Sequence, residues 1–209
     1  MYSLHSNESF IANQRFDHST MSQLLIALMD RIECGVMACG PTGELYHANA
    51  TARRELAGAR MLRLAQGVVD CAGSSRKAWM TALHDAAVRQ RSGMVSLFDG
   101  AERLLVALMP VDIGGTDRSA AVVLMGRRNV CSPLGLEMLS NSHGLTAAER
   151  RVLRALIDNC SASEIAQLYS VSLATVRTQI QAVRDKIGVR SIDALLLRAA
   201  EVPPVGARH

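Results

Sequence analysis

The chain has 209 residues, which is enough for one or two domains of about 100 to 200 residues each. Hydrophobic residues make up 49% and charged residues 20%, which excludes an intrinsically disordered chain. No apolar run approaches the roughly 20 residues of a membrane-spanning helix, so no membrane association is expected. Residues 145–209 carry 9 Lys and Arg against 6 Asp and Glu, whereas residues 1–144 carry 14 against 13. The basic excess in the last third predicts a polyanionic partner there.

The cysteines and the first residues of the chain indicate the compartment. The five cysteines are an odd number without C-x-x-C spacing, which indicates neither a disulfide framework nor a zinc site. The start of the sequence lacks the basic region and the apolar stretch of a secretory signal. We therefore expect a cytoplasmic protein with reduced thiols and without a bound metal.

Hydrophobic spacing and turn residues predict the elements of the first half. Residues 1–20 are polar and show no sustained period, so they are predicted to form a flexible arm. The elements that follow are a helix over 21–32, strands over 35–39 and 44–47, a helix over 50–56 capped by Asn49, a helix from Ser74 or Ser75 to about 91, and strands over 94–98, 103–109 and 120–125. This order predicts an α+β domain over 21–128 with an antiparallel five-stranded sheet.

The strands over 104–109 and 120–125 are apolar on both alternating faces. A half-solvated antiparallel strand would instead alternate apolar and polar residues. The second face of the sheet therefore needs a cover, for which the helix over 21–32 and a partner subunit are the two candidates. Residues 129–143 are predicted to be a linker with a helical turn at 136–139, and the last domain is expected to span 144–209.

From residue 144 onward, capping residues mark four helices. The caps are Thr146 with Glu149, Ser161 with Glu164, Ser172 and Ser191, which open helices over 147–157, 162–169, 173–187 and 192–200 in that order. The second and third of these helices are separated by a tight turn. Such a pair is the helix-turn-helix arrangement, in which the second helix reads DNA.

The helix over 173–187 carries two neighbouring stripes. The apolar stripe comprises Val176, Ile180, Val183 and Ile187, and the polar stripe one residue further comprises Arg177, Gln181 and Arg184, with Thr178 beside it. Arginine can bond a guanine edge with two hydrogen bonds, and glutamine an adenine edge, so these residue types suit the major groove. The alternative is the solvated basic face of an ordinary surface helix.

Four short segments of this region resemble the LuxR/FixJ-type DNA-binding domain over residues 144–202. They are Leu145-Thr146 with Glu149 and Val152-Leu153, then Ser163 to Ala166, then Val171-Ser172 with Thr175 to Arg177, and Lys186 to Val189. A region-four sigma-factor domain shares two of these segments, but the last segment and the fourth helix favour the LuxR type. The chain departs from the family pattern at Asn159-Cys160, where a glycine is usual, and at Gln179, where a histidine is common.

The resemblance implies roles for individual residues. The implied base-contacting residues are Arg177, Thr178 and Gln181, and the implied phosphate-contacting residues are Ser172, Thr175, Arg184, Lys186 and Arg190. Hydroxyls at a helix N-terminus and a lysine near a helix end do suit phosphate. The resemblance also assigns the fourth helix to dimerisation through Ile192, Leu196 and Leu197. Residues 195–197 are all leucine and span about 200° of the helix, so a second apolar contact is needed. The alternative is that this helix packs on the preceding domain.

Residues 21–128 resemble a PAS-like domain in element order and in the strand, turn and strand that lead to Asn49. Such domains bind small molecules or only dimerise, so a small-molecule ligand is a candidate. No sequence motif indicates a cofactor. His47 and His84 could ligate haem, although ordinary hydrogen-bonded histidines are commoner. Cys34 and Cys39 would lie roughly 16 Å apart along an extended strand, too far for a disulfide.

We therefore predict a one-component transcriptional regulator with a PAS-like α+β domain followed by an all-α four-helix LuxR-type domain. The expected partners are double-stranded DNA and a second copy of the chain, with RNA polymerase as a further candidate. An enzyme is not predicted, because no nucleophile, base and orienting group occur together. The alternatives are a cofactor-binding redox sensor that uses the thiols and histidines of the first half, and an interaction module without DNA affinity.

Overall fold

The structure is a computed structural model that describes residues 17–100, 102–112, 119–126 and 130–206. The first half contains, in chain order, α1 (His18–Met29), β1 (Val36–Cys39), β2 (Leu45–Ala48), α2 (Ala50–Gly58), β3 (Leu62–Ala65), β4 (Val68–Cys71), a 3₁₀ turn (Gly73–Ser75), α3 (Arg76–Ala87), β5 (Gly93–Asp99), β6 (Glu102–Asp112) and β7 (Ser119–Met125). The second half contains α4 (Pro133–Ser142), α5 (Ala147–Ile157), α6 (Ala162–Leu168), α7 (Leu173–Ile187) and α8 (Ile192–Ala200).

The first helix begins earlier than its apolar pattern indicates. The Asp17 carboxylate accepts the backbone N–H of Thr20 at 2.7 Å and caps α1, which then ends at Met29. The predicted helix over 21–32 is therefore displaced by three residues at each end. Residues 1–16 of the predicted arm lie outside the described residues, and His18 to Thr20 belong to the helix.

The five-stranded sheet confirms the predicted α+β class. Its strands are antiparallel and follow the order β2-β1-β7-β6-β5. Its inner face packs on α2 and α3, and Trp79 and Leu83 of α3 are fully buried there. Because successive residues of a strand point to opposite faces, Leu104, Val106 and Leu108 of β6 all enter this core.

A second hairpin, β3 and β4, was missed by the sequence analysis. It turns at Gln66 and Gly67, which both have positive φ values of 51° and 80°. Its outer residues Arg63 and Asp70 lie opposite each other and form an ion pair at 3.2 Å. The Trp79 indole donates to the carbonyl of Val69 at 3.3 Å, which ties the hairpin to α3. Each strand has only four residues, too short for a clear alternating pattern.

Asn49 does more than cap α2. Its side-chain oxygen accepts the N–H groups of Ala52 and Val36, at 2.9 and 3.0 Å, so it links the start of α2 to β1. Its amide nitrogen donates to the carbonyls of Met29 and Cys34, at 3.0 and 2.9 Å. Asn49 is fully buried, so these bonds fix the junction between α1 and β1 from one side.

The outer face of the sheet is apolar, and no element of the described residues covers it fully. Leu105, Ala107 and Leu124 on this face are half-buried, and Met94 at its edge is 66% exposed. Helix α1 does not cover it, because the apolar side chains of α1 are themselves exposed, with Leu25 at 54%. Of the two covers that the sequence suggests, a partner subunit therefore remains.

The second half follows the predicted helices to within one residue, except in the segment predicted to be a linker. Residues 133–142 form α4, which Ser132 caps by accepting the N–H of Gly135 at 2.8 Å. Leu136 and Leu139 of α4 are buried in the same core as the four helices that follow. The helical turn predicted at 136–139 is thus a full helix of the second domain, because its apolar face has a core to enter.

Candidate nucleic-acid interface

The predicted helix-turn-helix is formed by α6 and α7. Ser170 adopts a left-handed conformation with φ of 53°, and the N–H of Val171 bonds to the carbonyl of Ala166 at 3.0 Å, which closes the turn. Ile165 of α6 and Val176 of α7 are both fully buried, so the two helices share one core. This packing fixes the direction in which α7 projects.

Helix α7 buries one stripe and exposes the next. The four apolar residues predicted for the core, Val176, Ile180, Val183 and Ile187, are at most 7% exposed. Arg177, Thr178 and Gln181 all lie on the exposed side. With 15 residues α7 is about 22 Å long, and a major groove about 12 Å wide admits such a helix. The three predicted base-contacting residues are thus brought together on one accessible face.

Each of these three side chains has a different set of internal bonds. Within the described part of the chain the Arg177 guanidinium has no hydrogen-bond or ion-pair partner, so its donors are free. The Thr178 hydroxyl donates to the carbonyl of Ala174 at 3.0 Å. The Gln181 amide donates to Asp185 at 2.7 Å and accepts from Arg184 at 3.2 Å, so Gln181 must exchange these bonds to reach a base.

The start of α7 carries two of the predicted phosphate-contacting residues. The Ser172 hydroxyl accepts the backbone N–H of Thr175 at 3.0 Å and thereby caps the helix. The two hydroxyl oxygens lie 2.8 Å apart, and both residues are exposed. The positive end of the helix dipole and two hydroxyls therefore face the same region, an arrangement that favours an anion. Arg190 is exposed as well, whereas Arg184 is half-buried.

Lys186 has a partner that the sequence analysis did not foresee. Its ammonium group donates to the Glu149 carboxylate at 2.7 Å and to the carbonyl of Gly144 at 3.1 Å. The same carboxylate accepts the N–H of Thr146 at 2.7 Å, so the capping box of α5 and the end of α7 are joined through Glu149. Contact of Lys186 with phosphate stays a prediction. In the structure, Lys186 instead bonds to Glu149 within the domain.

The bonds from Lys186 and then Thr146 hold the pKa of Glu149 below its ordinary value of 4.5. The charged form is therefore favoured by folding, and its contribution to stability is complete above the unfolded-state pKa. That contribution is lost as the pH falls through the lowered folded-state pKa. The Glu149 side chain is only 11% exposed. Its removal would also leave Lys186 without its charged partner.

We expect Glu149→Ala to lower the free energy of unfolding of the second domain by about 2 kcal/mol at pH 7. Glu164→Ala is the matched control, because Glu164 closes the same kind of capping box on α6 but is exposed. The loss for Glu164→Ala should be smaller. Urea unfolding measured from pH 7 to pH 3 checks both variants. The difference in the free energy of unfolding between wild type and Glu149→Ala should become smaller at acid pH. A difference that does not change with pH would contradict the stabilising role of the Glu149 carboxylate.

Helix α8 carries the predicted surplus of apolar surface. Leu195 and Ala199 are fully buried against the rest of the domain, whereas Leu197 is 64% exposed and Ile192 is 39% exposed. Leu196 is half-buried. Leu197 is therefore available for contact with another molecule, and the role of α8 in dimerisation stays a prediction.

The candidate sensor residues of the first half lie on different elements. His47 is half-buried on β2, and His84 is exposed on α3. The described residues contain no group of three or more His, Cys, Asp or Glu side chains placed to hold a metal ion. Burial raises the pKa of the Cys39 thiol to about 12, so this thiol stays protonated at neutral pH.

Among the residues that the structure describes, no helix is both long and apolar enough to cross a membrane.

Residues 143–199 match the family of bacterial regulatory proteins, luxR family. No curated protein matches the chain. Among solved structures, the Vibrio cholera VqmA–ligand–DNA complex is 18% identical over 90% of this chain and 91% of that chain, with a TM-score of 0.39. The phage VqmA–DPO complex is 14% identical over 89% and 93%, with a TM-score of 0.39. The PAS domain of nitrogen regulation protein NR(II) from Vibrio parahaemolyticus is 11% identical over 50% and 97%, with a TM-score of 0.33. The helix-turn-helix geometry of α6 and α7, together with this family match, identifies residues 143–199 as a LuxR-type DNA-binding domain.

Proposed function

We propose that the protein regulates transcription by binding operator DNA as a homodimer, with one α7 helix of each subunit in the major groove. The observation that carries this proposal is the face of α7. Arg177, Thr178 and Gln181 are exposed together on a helix whose neighbouring apolar stripe is buried in the core of a LuxR-type domain. The proposal includes no catalytic step, because the family that this domain matches consists of DNA-binding regulators.

Contacts to phosphate would set the register of α7 in the groove. The proposed contacts come from Ser172 and Thr175 at the start of α7, and from Arg184, Lys186 and Arg190 near its end. Contacts of this kind carry no sequence information but make affinity depend on salt, because bound phosphates release counterions. Gel shifts at several salt concentrations would therefore separate a DNA-binding regulator from an interaction module without DNA affinity.

A homodimer is proposed because one recognition helix reads too few bases to select one site in a genome. Two apolar surfaces are available for a second copy, namely Leu197 with Ile192 on α8 and the open outer face of the sheet. The DNA site would then be a pseudo-palindrome with half-sites about 10 base pairs apart. RNA polymerase is a further proposed partner, as for any regulator that acts at promoters.

The first half is proposed to set how readily the dimer forms, with a small molecule as its candidate ligand. This role rests on the PAS-like order of its elements and on its open sheet face. A cofactor-binding redox sensor is the competing interpretation. An absorbance spectrum of the purified protein distinguishes the two, because haem or flavin would absorb visible light.

Full-length protein should bind its operator more tightly than the second domain alone, by roughly tenfold or more, because the first half would pre-associate the two DNA-binding domains. The isolated fragment should begin at residue 130, since Cys131, Leu136 and Leu139 belong to its core. The measurement is binding to one operator across a concentration series, with a footprint of the complex. Equal affinity of both proteins would contradict the proposed role of the first half in assembly. A footprint over a single half-site would remove the homodimer.

A further inference from the structure

The segment that follows α8 folds back onto the start of the first domain. Val205 pairs with Ile32 in an antiparallel bridge. The N–H of Glu33 donates to the carbonyl of Pro204 at 2.9 Å, and the N–H of Gly206 donates to the carbonyl of Arg31 at 2.7 Å. Two segments from opposite ends of the described chain are therefore joined through main-chain hydrogen bonds, as neighbouring strands of a sheet are.

The first-domain side of this bridge is rigidly held. Buried Asn49 donates to the carbonyls of Met29 and Cys34, on either side of residues 31–33. Asp30 accepts the first N–H of α2, from Ala50, at 2.6 Å and pairs with Arg53 at 3.0 Å. The bridge therefore rests on a junction that α2 and β1 fix in place.

The second-domain side is anchored as well. The Ser132 hydroxyl, which caps α4, donates to the carbonyl of Val205 at 2.8 Å. Val202 packs against the second core, and its methyl group sits so close to Gly135 that a Cβ there would lie 2.9 Å from it. One short segment thus contacts the α1–β1 junction, the cap of α4 and, through the chain itself, the end of α8.

We propose that residues 202–206 are a latch that couples the DNA-binding domain to the first domain. With the latch closed, the orientation of α8 and α4 is tied to residues 31–33, so a shift of that junction is passed to the DNA-binding domain. Closure leaves Arg177 and Leu197 exposed, so it does not block either proposed contact surface. The inference concerns the connection between the domains and is testable whether or not the protein binds DNA.

The geometry of the bridge permits a covalent test of closure. Because the hydrogen bonds flank the Ile32 and Val205 pair, this is a non-hydrogen-bonded pair, with Cα atoms about 4.5 Å apart. That separation lies within the range of disulfides. In the double variant Ile32→Cys with Val205→Cys, mild oxidation should join the two positions in most molecules. Peptide mapping identifies the bond and separates it from native cysteines such as Cys34.

The matched control is Arg31→Cys with Val205→Cys. It moves one cysteine by a single residue and so points it to the opposite face. The yield of disulfide should be much higher for the Ile32→Cys pair than for the Arg31→Cys pair. Equal cross-linking of the two pairs, or none in either, would overturn the closed latch.

Coupling is tested by removing the latch. Trp79 is the single tryptophan of the chain and is buried in the first core, so its fluorescence reports unfolding of the first domain. Far-ultraviolet circular dichroism follows helix content, of which the second domain holds the larger share among the described residues. A protein that stops after Glu201 should show a wider gap between the two melting temperatures, by several degrees, than a control that stops after Gly206. An unchanged gap would overturn the coupling.

A milder pair of variants guards against a truncation that fails to fold. Gly206→Pro removes the N–H that bonds to Arg31, whereas Gly206→Ala keeps it and places a Cβ 3.5 Å from the Arg31 carbonyl, an ordinary contact. The proline variant should widen the gap between the two melting temperatures and the alanine variant should not. Identical behaviour of the two variants would show that the main-chain bond does not couple the domains.

Discussion

Arg177→Ala should lower affinity for the operator by about 1 to 3 kcal/mol and relax the base preference at one position of the site. Arg177 is exposed on α7 and has no partner within the described part of the chain, so its guanidinium can form two hydrogen bonds to a guanine edge without first breaking others. Loss of those bonds removes discrimination as well as affinity. Selection of binding sites from a randomised DNA pool, with wild type and variant in parallel, measures both effects.

Arg190→Ala is the control for this experiment, because Arg190 is exposed and is proposed to contact phosphate. It should weaken binding to all sequences alike and reduce the salt slope by roughly 1. Lys186→Ala is less suitable, since it would leave the buried Glu149 carboxylate without its charged partner and destabilise the domain. Identical base preferences for wild type and Arg177→Ala would exclude Arg177 from base contact.

Leu197→Glu should separate the dimer into monomers at concentrations where wild type is dimeric, and operator affinity should fall with it. A carboxylate at the centre of a subunit interface must lose its hydration without gaining a partner, at a cost of about 3 kcal/mol. The isolated second domain should stay folded, because Leu197 is 64% exposed and contributes little to its core. Analytical ultracentrifugation gives the oligomeric state.

Leu168→Glu is the matched control, since Leu168 of α6 is 62% exposed in the same domain. Both variants add the same charge to the same kind of surface, and only the change on α8 should alter sedimentation. An unchanged dimer for Leu197→Glu would move the interface away from α8. The open face of the sheet, together with α1, would then be the next surface to change.

The second domain could be predicted closely because its signals are local. Ser161 with Glu164, and Ser172 with Thr175, form their caps within one helical turn, and the apolar stripe of α7 repeats at helical spacing. The bounds of α6 and α7 follow from these signals to within one residue. The exposed face of α7 follows as well, since residues beside a buried stripe must point outward.

What the sequence could not show depends on contacts between distant segments. The bond between Lys186 and Glu149 joins residues 37 positions apart, and the bond between Ser132 and Val205 joins residues 73 positions apart. Neither bond produces a periodic pattern in the sequence. The linker is predicted over residues 129–143 because Pro133 and Gly135 are typical of loops. Pro133 is in fact the first residue of α4, where its missing N–H is no disadvantage, and Gly135 gives Val202 the room it needs.

The bridge between Ile32 and Val205 also sets the order in which the molecule can be completed during synthesis. Chains leave the ribosome at about 5 to 20 residues per second, and domains generally fold as they emerge. Residues 31–33 are made long before their partners, so the first domain must fold with this junction held only by bonds within the first domain, such as those of Asn49, Asp30 and Thr51. The bridge closes only after α8 has emerged. Until then the carbonyl of Arg31 and the N–H of Glu33 depend on water, and the orientation of the two domains is the last feature of the structure to be fixed.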